Sequence, residues 1–163
     1  MGCGPGGRTI IQTEMIAMTL NGNSGVFGPI QIRESPTLVS PGQISQQVPG
    51  VDFPADSFFD IFVEVQTSMG SLHTQDPDHE QSVINCIPPS SLFLSGSAIL
   101  PLYNSAGQQV GSLTFGTPPT PTNTPTATPC IFPPAGTDTI NSAANVVISI
   151  NGVPMVVTGY RPA

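Results

Sequence analysis

Hydrophobic and polar residues alternate with period two along most of the chain, the signature of strands with one buried face. The firmest run is Ser57 to Gln66. Phe59, Ile61, Val63 and Val65 share one face and Asp60, Phe62, Glu64 and Gln66 the other, which predicts a central strand. Before it, strands are expected at 9–20, where Ile16, Met18 and Leu20 alternate with Ala17 and Thr19, and at 26–33, with Ile30 and Ile32 on one face. Pro36, Pro41 and Gly42 reduce Gln43 to Val48 to a short edge strand. After Met69-Gly70 a short strand, Ser71 to His73, is expected. Asp76 followed by Pro77 then reads as an N-cap with proline in the first turn, and Asp78 and Glu80 complement the helix dipole. A short helix is therefore expected from there to about Cys86, ending at Pro88-Pro89.

Leu92 to Tyr103 and Gln108 to Phe115 flank the turn residues Asn104 to Gly107 and predict a hairpin. A second hairpin is signalled where Val146 to Ile150 and Val153 to Val157 flank Asn151-Gly152, a pair suited to a type I′ turn. The predicted fold is all-β, an antiparallel β-sandwich of about seven strands with one short helix, plus a tethered C-terminal β-hairpin. The expected division is a flexible segment over 1–8, the sandwich over 9–116, a Pro/Thr-rich linker over 117–136 and the hairpin segment over 137–163.

The linker holds no charge between Thr117 and Pro129, and its prolines favour polyproline II. At that rise the run reaches roughly 40 Å, against a radius of gyration of about 13 Å for a domain of this size. An isolated two-stranded hairpin is marginal in water, so the segment beyond the linker needs a sheet to join. Val146, Ile148, Ile150, Val153, Met155 and Val157 are its candidate assembly residues.

Composition narrows the setting. Charged residues are 8% of the chain, there is no lysine, and the net charge is −7. A nucleic-acid partner is therefore disfavoured, and no stretch approaches the length of a membrane span. The first residues lack the charged start and apolar core of a signal peptide, so the expectation is that processing has removed one or that Met1 is an added residue. Cys3, Cys86 and Cys130 are disulfide candidates, read as one internal bridge and one thiol left free or bridging to a neighbour, with three unpaired thiols as the alternative. Thr117, Thr120, Thr122, Thr124, Thr126 and Thr128 are candidates for O-glycosylation, with a bare spacer as the alternative.

Chemistry is sparse. His73, Asp76, Asp78, His79 and Glu80 are the one group resembling divalent-metal ligands, and helix capping already explains three of them. Asp52, Asp56, Asp60 and Glu64 suggest paired carboxylates, but Asp60 and Glu64, which share a face, stand about 13 Å apart at 3.3 Å per residue, too far for a glycosidase pair. No nucleophile elbow, phosphate loop or dinucleotide fingerprint appears, so neither an enzyme nor a cofactor is expected.

The run Phe53-Pro-Ala-Asp-Ser-Phe-Phe-Asp-Ile-Phe-Val-Glu64, with Leu72-His73 and Ile87-Pro88-Pro89 after it and the Thr/Pro linker beyond, resembles an uncharacterised family of exported bacterial β-sandwich domains. The resemblance covers roughly residues 9–116 and implies an extracellular or cell-surface location, with no assigned activity. Two functions follow as expectations. One is a structural subunit that polymerises with copies of itself into an extracellular filament or surface layer by strand addition. The other is a monomeric binding or adhesion module, for a glycan or a divalent ion, with the hairpin folded back on its own sandwich. The donated strand is either the C-terminal segment, favoured here, or residues 9–20.

Overall fold

The computed structural model describes residues 2–89, 91, 93–96, 99–116 and 143–160. The described residues are nearly all strand, in two antiparallel sheets packed together as a sandwich-like, all-β fold. Its frame is a meander of four long arms, each broken at the same level. These arms are β2 (Thr9–Glu14) with β3 (Thr19–Ser24), β4 (Gly28–Glu34) with β5 (Pro41–Val48), β6 (Val51–Ile61) with β7 (Val63–Thr67), and β8 (Gly70–His73) with β9 (Asp78–Ile84). One half of every arm lies in each sheet, so the break is a corner where strands change sheets, as in orthogonally packed sandwiches.

The short strands β1 (Gly2–Cys3) and β10 (Leu94–Ser95) flank the first sheet, whose order is β1-β2-β5-β6-β9-β10. Edges of two residues offer little to a stray strand. The second sheet is extended by β11 (Leu100–Tyr103), β12 (Gln109–Phe115), β13 (Ala143–Ile150) and β14 (Val153–Tyr160), giving the order β14-β13-β12-β11-β8-β7-β4-β3. It curls until its two outer strands, β14 and β3, run within 8 Å of each other, Cα to Cα.

The central strand keeps its expected alternation through the corner: Phe59 and Ile61 in one sheet and Val63 and Val65 in the other are all buried. Phe62 is the hinge. There the backbone loses its ladder partners, and polar groups at the corner replace them. The Phe62 N–H donates to Ser40 Oγ at 3.1 Å, its carbonyl accepts from the Ser35 N–H at 2.8 Å, and the Val63 N–H donates to Thr74 Oγ1 at 3.1 Å. Ser35, Ser40 and Thr74 are buried because they serve this corner.

The main core lies inside the curled sheet, where Leu20, Ile30, Ile32, Val65, Leu102 and Leu113 meet Phe59 and Ile61 of β6. A smaller cluster of Ile44, Ala55 and Ile84 fills the first sheet's end.

The expected helix beginning at Asp76 is not formed. Residues 78–84 are β9, paired to β6 in continuous register from Ile61↔Asp78 to Ala55↔Ile84. Asp78 and Ile84 point inward and His79, Gln81 and Val83 outward, the period of a strand. Seven cross-strand pairs outweigh a capping signal worth about 1 kcal/mol, and Asp76 sits exposed in the connection from β8 to β9. The strand count also exceeds the expected seven, mainly because each long run is split at the corner. Gly2–Cys3, expected as part of a flexible start, pairs with β2.

Candidate functional site

The terminal hairpin forms where the sequence places it. Asn151 (φ 49°) and Gly152 (φ 79°) occupy the left-handed positions of a type I′ turn, and β13 pairs with β14 from Ile150↔Val153 to Ala143↔Tyr160. What the alternation alone does not say is where the hairpin docks. β13 adds to β12 of its own chain, with Gly111↔Ile150, Leu113↔Ile148 and Phe115↔Val146 opposite one another. Val146, Ile148 and Ile150 are at most 2% exposed and belong to the main core, whereas Val147 on the other face is 38% exposed.

The hairpin therefore fills a slot two strands wide, bounded by β12 on one side and β3 on the other. Of the remaining candidate assembly residues, Val153 is 39% exposed. Register sets Met155 and Val157 opposite Ile148 and Val146, and their side chains lie outside the described residues.

Gly111 is a functional position that sequence reasoning missed. A Cβ there would meet the Ser149 carbonyl oxygen and lie 3.2 Å from Ile150 Cα, so the absent side chain lets β13 seat against β12. The signal was present, since Gly111 falls on the apolar face of a strand otherwise filled by Leu113 and Phe115, and a glycine inside a strand marks close approach of another backbone. The slot closes with the Asn151 N–H donating to the Val110 carbonyl at 2.9 Å.

Phe115 and Val146 are cross-strand neighbours, so two residues would suffice to connect them in a tight hairpin. The chain instead places residues 116–145 between them. The linker and its candidate glycosylation threonines lie outside the described residues.

The acidic group does not converge. Strand alternation sends His79 outward, where Nδ1 lies 2.7 Å from Asp60 Oδ1 and the ring meets Phe58 at 5.2 Å, and sends Asp78 inward. His73 pairs across with Glu64 and faces the Tyr103 ring at 6.2 Å. Among the described residues no three His, Cys, Asp or Glu side chains are placed to hold a metal ion.

The inner face of β9 is nonetheless unusual. Asp78 is fully buried; Oδ1 accepts a 2.7 Å hydrogen bond from Ser95 Oγ, and Oδ2 has no partner. Burial pushes the Asp78 carboxyl up, opposed by that bond and by His79. Glu80, two residues along, is raised to about 7 by burial and by the Asp78 charge.

The carboxylates of the second candidate group, Asp52, Asp56, Asp60 and Glu64, are occupied. Asp52 accepts from Gln46 Nε2 at 3.0 Å and Asp56 from Gln47 Nε2 at 2.7 Å. Glu64 accepts from Arg33 Nη2 at 2.6 Å and Nε at 3.0 Å. Burial pushes Glu64 up, but hydrogen bonds from Arg33, Ser71 and Gln66 and the Arg33 charge together hold it below its ordinary value.

Cys86 carries a free thiol, half-buried, with Sγ 3.5 Å from the Pro88 carbonyl oxygen. The side chains of Cys3 and Cys130 lie outside the described residues. No helix of the described residues is long and apolar enough to cross a membrane. No family model, curated protein or solved structure matches the chain.

Proposed function

We propose that the protein is a structural subunit of an extracellular assembly, joined to copies of itself by exchange of its tethered terminal hairpin. The observation that carries this reading is the length of chain spent on joining two adjacent strands, Phe115 beside Val146 with residues 116–145 between them. A long tether changes the balance between a hairpin docked in its own slot and one docked in a neighbour's. Lengthening a loop from about four to about thirty residues raises its closure cost by about 2 kcal/mol, at about 0.6 kcal/mol per doubling. The exchanged contact is identical to the intramolecular one, so only the tether and the protein concentration decide between them. Head-to-tail donation repeated along a chain of copies gives an open fibre.

The six linker threonines suit an O-glycosylated tether. A specific observation favours a second reading. Because the hairpin completes its own sheet, the closed monomer is a finished fold that can act as a secreted binding or adhesion module.

Light scattering on a size column, with negative-stain microscopy, separates the two. Exchange predicts a concentration-dependent ladder of oligomers and filaments that disappear when residues 137–163 are deleted; a protein that stays monomeric at millimolar concentration, with no filaments, contradicts it.

A further inference from the structure

We propose that Asp78 and Glu80 form a proton-operated latch on the edge of the first sheet: the β10 edge is held closed while the pair shares a proton and opens when both carboxyls are ionised. The first support is geometric. Glu80 faces Phe59 across β6 and Ser95 across β10 in register, so both acids lie on the inner face of β9, beneath the edge strand. Asp78 is fully buried with Oδ2 unpartnered, a state far less costly for a neutral carboxylic acid than for a carboxylate.

Among the described residues, the elements packed on the pair present no arginine to it. The inner face of β6 presents Ala55, Ser57, Phe59 and Ile61, and β10 presents Ser95; Asp60 and His79 project from the outer faces, where His79 eases Asp78 only when protonated. Arg33 is engaged by Glu64. Without three converging ligands for a metal among the described residues, the proton is the neutralising species at hand.

The edge strand is short. Among the described residues β10 pairs with β9 through Leu94↔Gln81 and Ser95↔Glu80, supplemented by the Gly96 N–H to the His79 carbonyl at 3.0 Å, the Ser95–Asp78 hydrogen bond and Phe93 against Phe59 at 5.5 Å. Glu80 rises from 4.5 to about 7 in the closed form. A raised carboxyl favours the closed state at low pH, and that advantage is lost as pH rises from the ordinary value through 7. If opening returns Glu80 to water, the opening constant of this edge grows about 30-fold between pH 5.5 and 8.

Amide hydrogen exchange, corrected for the intrinsic pH dependence, reads that constant at residues 78–84 and 94–96. The expected result is a fall in protection of about that factor in the wild type, no fall in Glu80→Gln, and a retained fall in Asp60→Asn. Protection that stays constant with pH, a step that survives in Glu80→Gln, or a step abolished by calcium at pH 8 overturns the latch, the last by making the pair a cation site. Should Glu80→Gln fail to fold, the Glu80 carboxyl carbon shift of the wild type decides: a midpoint near 7 supports the latch and one near 4.5 overturns it.

Discussion

Replacing Gly111 by alanine tests whether the hairpin sits in the slot as described. The added Cβ would collide with the Ser149 carbonyl oxygen and stand 3.2 Å and 3.3 Å from Ile150 Cα and Ser149 C. All three are backbone atoms of β13, so no side-chain rotation relieves the contact and the strand must move away from β12. Overpacking of this kind typically costs about 1–3 kcal/mol, and the upper part of that range fits a clash with backbone. Without a neighbouring strand, the same change would stabilise by about 0.4–1 kcal/mol by restricting the unfolded chain. The sign is therefore diagnostic.

A loss of about 2–3 kcal/mol corresponds to hairpin opening that is roughly 30–150 times more frequent. Hydrogen exchange at the amides of 146–150, with thermal unfolding alongside, reads it directly. Gly25→Ala is the internal control, because nothing lies within 4 Å of a Cβ there; it should be neutral or slightly stabilising. A Gly111→Ala protein whose hairpin amides are protected as well as those of the wild type would refute the docking.

Three further outcomes follow from the same geometry. Ser40→Ala removes the acceptor for the Phe62 N–H and the donor to Glu34 Oε1, so it should lower stability by about 1–3 kcal/mol in denaturant titration, the penalty of a buried unsatisfied group. It should also raise the Glu34 carboxyl further, since that hydrogen bond opposes the upward push of burial and of Glu14. Gly152→Ala places a side chain at φ 79° and should destabilise the fold by about 1 kcal/mol in thermal melts, without changing which strands pair. Glu80→Gln should gain about 2–3 kcal/mol over the wild type on going from pH 5 to pH 8 in urea titrations, because the wild type loses stability as its raised carboxyl ionises and the amide does not.

Much of the fold was legible because alternation reports burial directly. Phe59, Ile61, Val63 and Val65 announced a central strand, and Asn151-Gly152 a hairpin turn, and both stand in the structure. The helix expected from Asp76 failed for a physical reason: capping residues describe what a segment prefers in isolation, whereas the run from Asp78 to Ile84 is decided by β6, which offers it seven partners.

The corner at Phe62 was invisible because the alternation passes through it unbroken. Only the buried serines and threonine that rescue its backbone mark the place, and polar residues scattered through a sequence do not show whom they serve. The sequence pattern places the Asp78–Glu80 pair at a helix terminus; once the segment is a strand, the i, i+2 spacing sends both acids to one inner face.

The central claim, that a hairpin docked in β12's slot can belong to another copy, is tested most directly by cross-linking across the slot. Ser112 and Ser149 are directly opposite on β12 and β13. With Cys3, Cys86 and Cys130 replaced by serine, Ser112→Cys and Ser149→Cys can be joined by a short bifunctional thiol reagent in concentrated protein and run on a denaturing gel. Exchange predicts a covalent ladder of dimers, trimers and longer chains that collapses to monomer when either new cysteine is omitted. A single internally cross-linked monomer at every concentration would contradict it.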